Sequence, residues 1–126
     1  KKNVSLGVLR ETYDKWERRA PLTPHHVSTI LKENSKNEIN NNISNVFVQP
    51  SSHRIFSDSE YEKSGAVITE DLSQADVILG VKAIKKEQLI DRKTYMMFSH
   101  VIKGQVDNMS LLEGVLEKDV KLVDYE

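Results

Sequence analysis

Ionisable residues stand where the short β-rich runs of this chain give out. Arg10 and Glu11 follow the run at 4–9, Lys82 ends the run at 76–82, His100 follows 94–99, and Glu126 follows 120–124. In an open parallel sheet, ligands bind beyond the carboxyl ends of the strands. Lys82, His100 and Glu126 are therefore expected at one edge, as a candidate active site. Histidine suits proton transfer near neutral pH. Each residue also has a plainer reading, because strand ends are surface and lysine and glutamate are mostly solvated there. Arg18 and Arg19 lie on the loop after the first run, where a guanidinium offers a planar fork to a carboxylate. Arg18 reads as solvated. His25 and His26 fall in the first turn of a helix and read as exposed, and His53 lies in a loop.

The elements that position these residues alternate between strand and helix. Beyond 4–9, strands are expected at 46–49, 66–69, 76–82, 94–99 and 120–124, the one at 66–69 short. Val77, Ile78, Leu79 and Val81 form a continuous apolar run, as expected of a parallel strand covered on both faces. A helix is expected to start at Thr23-Pro24, where the hydroxyl can cap and proline loses no needed N–H. Ser57-Asp58-Ser59-Glu60 has the form of a capping box for a short helix ended by Gly65. One or two helical turns are expected at 86–91, and an amphipathic helix at 103–118. The Asn-rich stretch 33–45 reads as a solvated loop insertion. The fold class is α/β: an open parallel sheet of about five strands with flanking helices, flavodoxin-like or half-Rossmann.

Composition narrows the function classes. The chain has 126 residues, 38% apolar and 29% charged, with a net charge of -1, which suits one domain spanning 1–126. Nothing in that balance favours nucleic acid or a membrane surface, and no segment approaches the roughly 20 apolar residues of a membrane span. The absence of cysteine excludes a disulfide framework, a thiolate metal site and a cysteine nucleophile. No metal site is expected. The five glycines (Gly7, Gly65, Gly80, Gly104 and Gly114) nowhere form G-x-G-x-x-G or a phosphate-cradling loop. Any dinucleotide is therefore expected to be held mainly by a Rossmann domain outside this chain.

E-R-R-A-P-L-T-P at 17–24 resembles the N-terminal signature shared by alanine dehydrogenases, proton-translocating transhydrogenases and saccharopine dehydrogenases. L-G-V-K at 79–82, R-K-T-Y-M-M-F-S-H-V-I-K-G-Q at 92–105, N-M-S-L-L-E-G-V-L at 108–116 and K-L-V-D-Y-E at 121–126 are more selective. They resemble the lysine–2-oxoglutarate reductase portion of bifunctional aminoadipic semialdehyde synthases. The resemblance covers nearly the whole chain except the Asn-rich stretch.

That resemblance implies a reaction: the ε-amine of lysine condenses with 2-oxoglutarate, and NADPH reduces the imine to saccharopine. It places the acid–base roles on Lys82 and His100, with Lys82 crowded by other cations. It puts substrate binding on Arg19 and Gln105, and makes Lys103 and Glu126 charged residues that tune the site. Ala83 stands where some members have an acidic residue. The resemblance further implies small-molecule partners only, a homo-oligomer through a parent enzyme, and no activity for the isolated 126-residue piece. Animal enzymes of this kind are mitochondrial and plant ones cytoplasmic. The alternatives are an alanine dehydrogenase, against which 98–105 and 121–126 argue, and a non-catalytic binding or regulatory module of the same fold.

Overall fold

The computed structural model describes residues 3–12, 16–35, 43–82, 84–98 and 109–124. Six parallel strands form one sheet: β1 (Val4–Val8), β2 (Ile43–Val48), β3 (Val67–Ile68), β4 (Val77–Lys82), β5 (Thr94–Phe98) and β6 (Lys121–Asp124). Their order is β3-β2-β1-β4-β5-β6. The sixth strand relative to the expected five or so is the two-residue β3, and the order is that of a Rossmann sheet rather than a flavodoxin one. The order reverses between β1 and β4, which opens a crevice at their carboxyl ends.

Alternation along the strands sorts the core onto two faces. Leu6 and Val8 of β1, Val46 and Val48 of β2, and Leu79 of β4 face one side. There they pack with Val27 of α1 (Pro24–Ser35) and Tyr61 of α2 (Asp58–Lys63). Ile78 of β4 and Tyr95 and Met97 of β5 face the other side, with Leu72, Leu89 and Val120. Val115 of α3 (Met109–Glu117) covers this second face, next to a 3-10 turn at Lys86–Gln88. Val77–Lys82 is accordingly buried on both faces along its middle, as its unbroken apolar run requires.

Most boundaries fall where the sequence puts them. Thr23 Oγ1 accepts from His26 N at 3.1 Å and caps α1, while Ser57 Oγ accepts from Glu60 N at 3.1 Å and caps α2. Gly65, at φ 105°, follows the end of α2, a backbone conformation that favours glycine. One expectation changes. Residues 33–35 are helical and 43–45 belong to β2, so the Asn-rich stretch is not one loop, and 36–42 lie outside the described residues. The region 86–91 holds a single 3-10 turn, the lower end of the one or two turns expected. The last helix is described from Met109, its expected start at 103 lying outside the described residues.

Candidate functional site

The β1–β4 ladder is completed by a side chain. Strand pairing ends at Val8 with Leu79, and one further bond runs from Leu9 N to Leu79 O at 2.9 Å. Glu11 then lays its carboxylate along β4. Oε2 accepts from Val81 N at 2.9 Å and Oε1 from Lys82 N at 2.8 Å. These two N–H groups lie beyond the reach of β1, so Glu11 satisfies donors that would otherwise be left open. Gly80 lies beneath it: a Cβ there would be in ordinary contact with Glu11 Oε2 at 3.6 Å and would press on Leu9 Cδ1 at 3.1 Å. Burial pushes the Glu11 carboxyl above its ordinary range. The two backbone donors and Arg19 oppose that shift, and neighbouring Glu17 adds to it.

Glu17 joins the two cations that the sequence singled out. Arg19 grips it side-on, Nε to Oε1 at 2.7 Å and Nη2 to Oε2 at 2.8 Å, while Arg19 N adds a third bond at 3.1 Å. Lys82 Nζ lies 3.4 Å from Glu17 Oε2. Only 6% of the Glu17 side chain is exposed, against 70% for Arg19 and 32% for Lys82. The Arg19 guanidinium and then Lys82 hold the Glu17 carboxyl down to about 2. Among the described residues, Lys82 therefore meets a carboxylate. Glu17 stands between the two positive charges and takes up the repulsion they would exert on each other.

The loop carrying Glu17 and Arg19 is fastened to the loop after β2. Ile55 N donates to Arg18 O at 2.9 Å, and Arg18 Nε donates to His53 O at 3.1 Å. Arg18 is exposed, as expected, yet it anchors that junction. Between the two loops lies a small cleft of about 230 Å³, counted out to its open mouth, lined by Glu11, Glu17, Arg19, Ser51, His53 and Arg54. Arg10 points elsewhere: it pairs with Glu70 and donates to Pro50 O at 2.9 Å. The wider depression beside it, lined by Gln49, Glu70, Gln88 and Tyr95, includes neither Lys82 nor Arg19.

Of the sequence-predicted residues, Arg19 and Lys82 are brought together through Glu17. His100, Lys103, Gln105 and Glu126 lie outside the described residues, as does Ala83. Lys82 pairs in register with Phe98, the last residue of β5. Sequence reasoning gave Glu11 and Glu17 no role and passed over Arg54. The signal for Glu11 was its place just past a strand end, and for Glu17 its spacing of two from Arg19. Among the described residues, the loop after β1 has no glycine-rich cradle of the kind that holds a dinucleotide. Residues 9–23 contain no glycine, α1 begins only at Pro24, and the crevice between β1 and β4 is filled by the Glu11 carboxylate.

Similarity to known proteins bears on this site. The chain is 44% identical over 121 residues to the mitochondrial alpha-aminoadipic semialdehyde synthase of Rattus norvegicus, covering 96% of this chain and 12% of that protein. It is 43% identical over 124 residues to the alpha-aminoadipic semialdehyde synthase of Arabidopsis thaliana, covering 98% and 11%. With the saccharopine dehydrogenase [NAD(+), L-lysine-forming] of Neurospora crassa it shares 28% identity over 123 residues, 94% of this chain and 31% of that one. The chain thus spans about an eighth of the length of the first two relatives. The family described as alanine dehydrogenase/PNT, N-terminal domain, matches residues 7–126, and the chain belongs to that family.

Proposed function

We propose that this chain is the substrate-binding part of a lysine–2-oxoglutarate reductase, which condenses lysine with 2-oxoglutarate and reduces the imine to saccharopine. The observation that carries this reading is the Arg19–Glu17–Lys82 chain of contacts at the crevice between β1 and β4. The similarity to aminoadipic semialdehyde synthases over 96% of the chain gives that cluster its substrate class.

The residues divide the work by charge. Lys82 presents an ammonium at the sheet edge. An ammonium can give a proton to the hydroxyl that leaves as the imine forms, a type of step worth ~10²–10⁴-fold. His100 is proposed as its acid–base partner. The side-on face of Arg19 is taken by Glu17, which leaves its end-on edge toward solvent for a substrate carboxylate. Lys103, Gln105 and Glu126 are proposed to complete substrate binding. A nicotinamide cofactor supplies the reducing equivalents in this reading. Since residues 9–23 form no cradle for it, it is placed on a domain outside this chain. Mitochondrial placement follows if the parent enzyme is of the animal type, whose members carry that word in their names; the cytoplasm is the alternative.

The test is spectrophotometric, on the full-length protein. Loss of reduced nicotinamide is followed with lysine plus 2-oxoglutarate and, separately, with ammonia plus pyruvate. The reading expects oxidation with the first pair only. Oxidation with the second pair only would move the chain to alanine dehydrogenase chemistry. Running NADPH against NADH decides the reductant: NADPH is expected, whereas the fungal relative is named for NAD(+).

A further inference from the structure

Arg54 is the sole charged residue in the buried core of the described residues, 8% exposed overall and 4% in its side chain. A guanidinium has five N–H hydrogens. Nη2 spends its two on Gln49 O at 2.9 Å and Asp58 Oδ1 at 3.0 Å. Nε and Nη1, with the other three, are buried and have no acceptor. Its central carbon lies over the Tyr61 ring, 4.7 Å from the centroid, a contact that takes none of those hydrogens. A buried donor without an acceptor costs free energy, and more when it is charged. Anchoring the loop does not explain this arrangement, because Nη2 alone makes both anchoring bonds.

Arg54 is one of the residues lining the cleft that contains Arg19, Glu11 and Glu17. The space it encloses is only about 10 Å³, about the room of one water-sized group. It suits a single oxygen at one end of a substrate. Three unpaired N–H hydrogens on a fixed cation donate best to an oxyanion, through charge-assisted hydrogen bonds. We propose that Arg54 is a second carboxylate-binding residue of this site, taking the distal carboxylate of a dicarboxylic 2-oxo acid through Nε or Nη1. The identity of that acid rests on the function proposed above; the open donors do not. Arg54 thereby becomes a specificity-determining residue, selecting acids with a second carboxylate over those without one.

The test compares wild type with R54M in the full-length protein, using 2-oxoglutarate and 2-oxobutyrate, which lacks the distal carboxylate. Losing a charge-assisted bond should raise KM for 2-oxoglutarate by about 10–100-fold. KM for 2-oxobutyrate and for lysine should stay within about threefold, so the preference for the diacid collapses. Equal weakening toward both oxo acids, or no change toward either, overturns the proposal and leaves Arg54 a structural residue. If wild type turns over neither acid with lysine, the functional reading fails, and binding of glutarate by titration calorimetry then tests Arg54 alone. Should R54M not fold, a crystal structure of wild type with 2-oxoglutarate decides. A ligand carboxylate oxygen within hydrogen-bond distance of Nε or Nη1 supports the proposal, and ordered water there with the ligand elsewhere overturns it.

Discussion

Glu17 does at this edge what neither cation can do alone. Arg19 and Lys82 would repel each other, and the carboxylate that both contact offsets that repulsion. Its carboxyl, held at about 2 against an ordinary 4.5, titrates lower in the folded than in the unfolded chain. The stability it contributes is therefore complete above about pH 4.5 and is lost as the pH falls through about 2. Substituting Glu17→Gln should remove that contribution. The difference in denaturation midpoint between wild type and E17Q should be steady above pH 4.5 and shrink toward pH 2; a difference constant over that window would contradict the assignment. Glu11 shows the opposite economy, because burial raises its carboxyl while two backbone donors hold it in place. Glu11→Gln turns an amide N–H₂ toward one of those donors, Val81 N or Lys82 N. An unmet buried donor costs about 1–3 kcal/mol, and chemical denaturation at neutral pH should show a loss of that order. Arg19 and Lys82 were legible in the sequence because their types and positions suggest chemistry. Glu11 and Glu17 were not, because a glutamate in a polar loop carries no mark of the backbone N–H groups or cations that the fold brings to it.

At the scale of elements, the carboxyl edge is set by how closely the strands and their coverings approach. Apolar runs, Thr23-Pro24 and the Ser57 capping box announced the strands and the first two helices, since each is a local signal. The stretch 33–45 misled because its polar composition says nothing of packing. The last turn of α1 and the start of β2 take their structure from the sheet beside them, as β2 pairs with β1 from Ile43 onward. Gly114 is another feature visible only in three dimensions. It lies inside α3, where alanine would be the better helix former by about 1 kcal/mol. A Cβ there would stand 2.5 Å from Lys86 Cβ and 3.2 Å from Lys86 Cα, so α3 reaches the 3-10 turn only with glycine at the contact. Overpacking of this kind costs typically 1–3 kcal/mol. Gly114→Ala should therefore destabilise the protein by a net of up to about 2 kcal/mol, read as a lower denaturation midpoint. An unchanged or higher midpoint would mean that propensity outweighs the contact.

For the whole molecule, a Rossmann strand order is put to a different use. The crevice where the order reverses usually receives a ligand. Here Glu11 fills its β1 side, and the charged groups line up along the loops beside it. The parallel α/β class was legible from alternating elements. Strand order was not, because no local signal states which strand lies beside which, and it is the pairing of β1 with β4 that brings Lys82 to Glu17 and Arg19. Central to the account is Lys82 as a proton-transferring group of a saccharopine-forming site. The measurement that tests it most directly is the lysine-plus-2-oxoglutarate assay on full-length wild type and K82M, with folding checked by circular dichroism. A fall in kcat of ~10²–10⁴-fold in a folded variant is the predicted result. Turnover equal to wild type in folded K82M would contradict it.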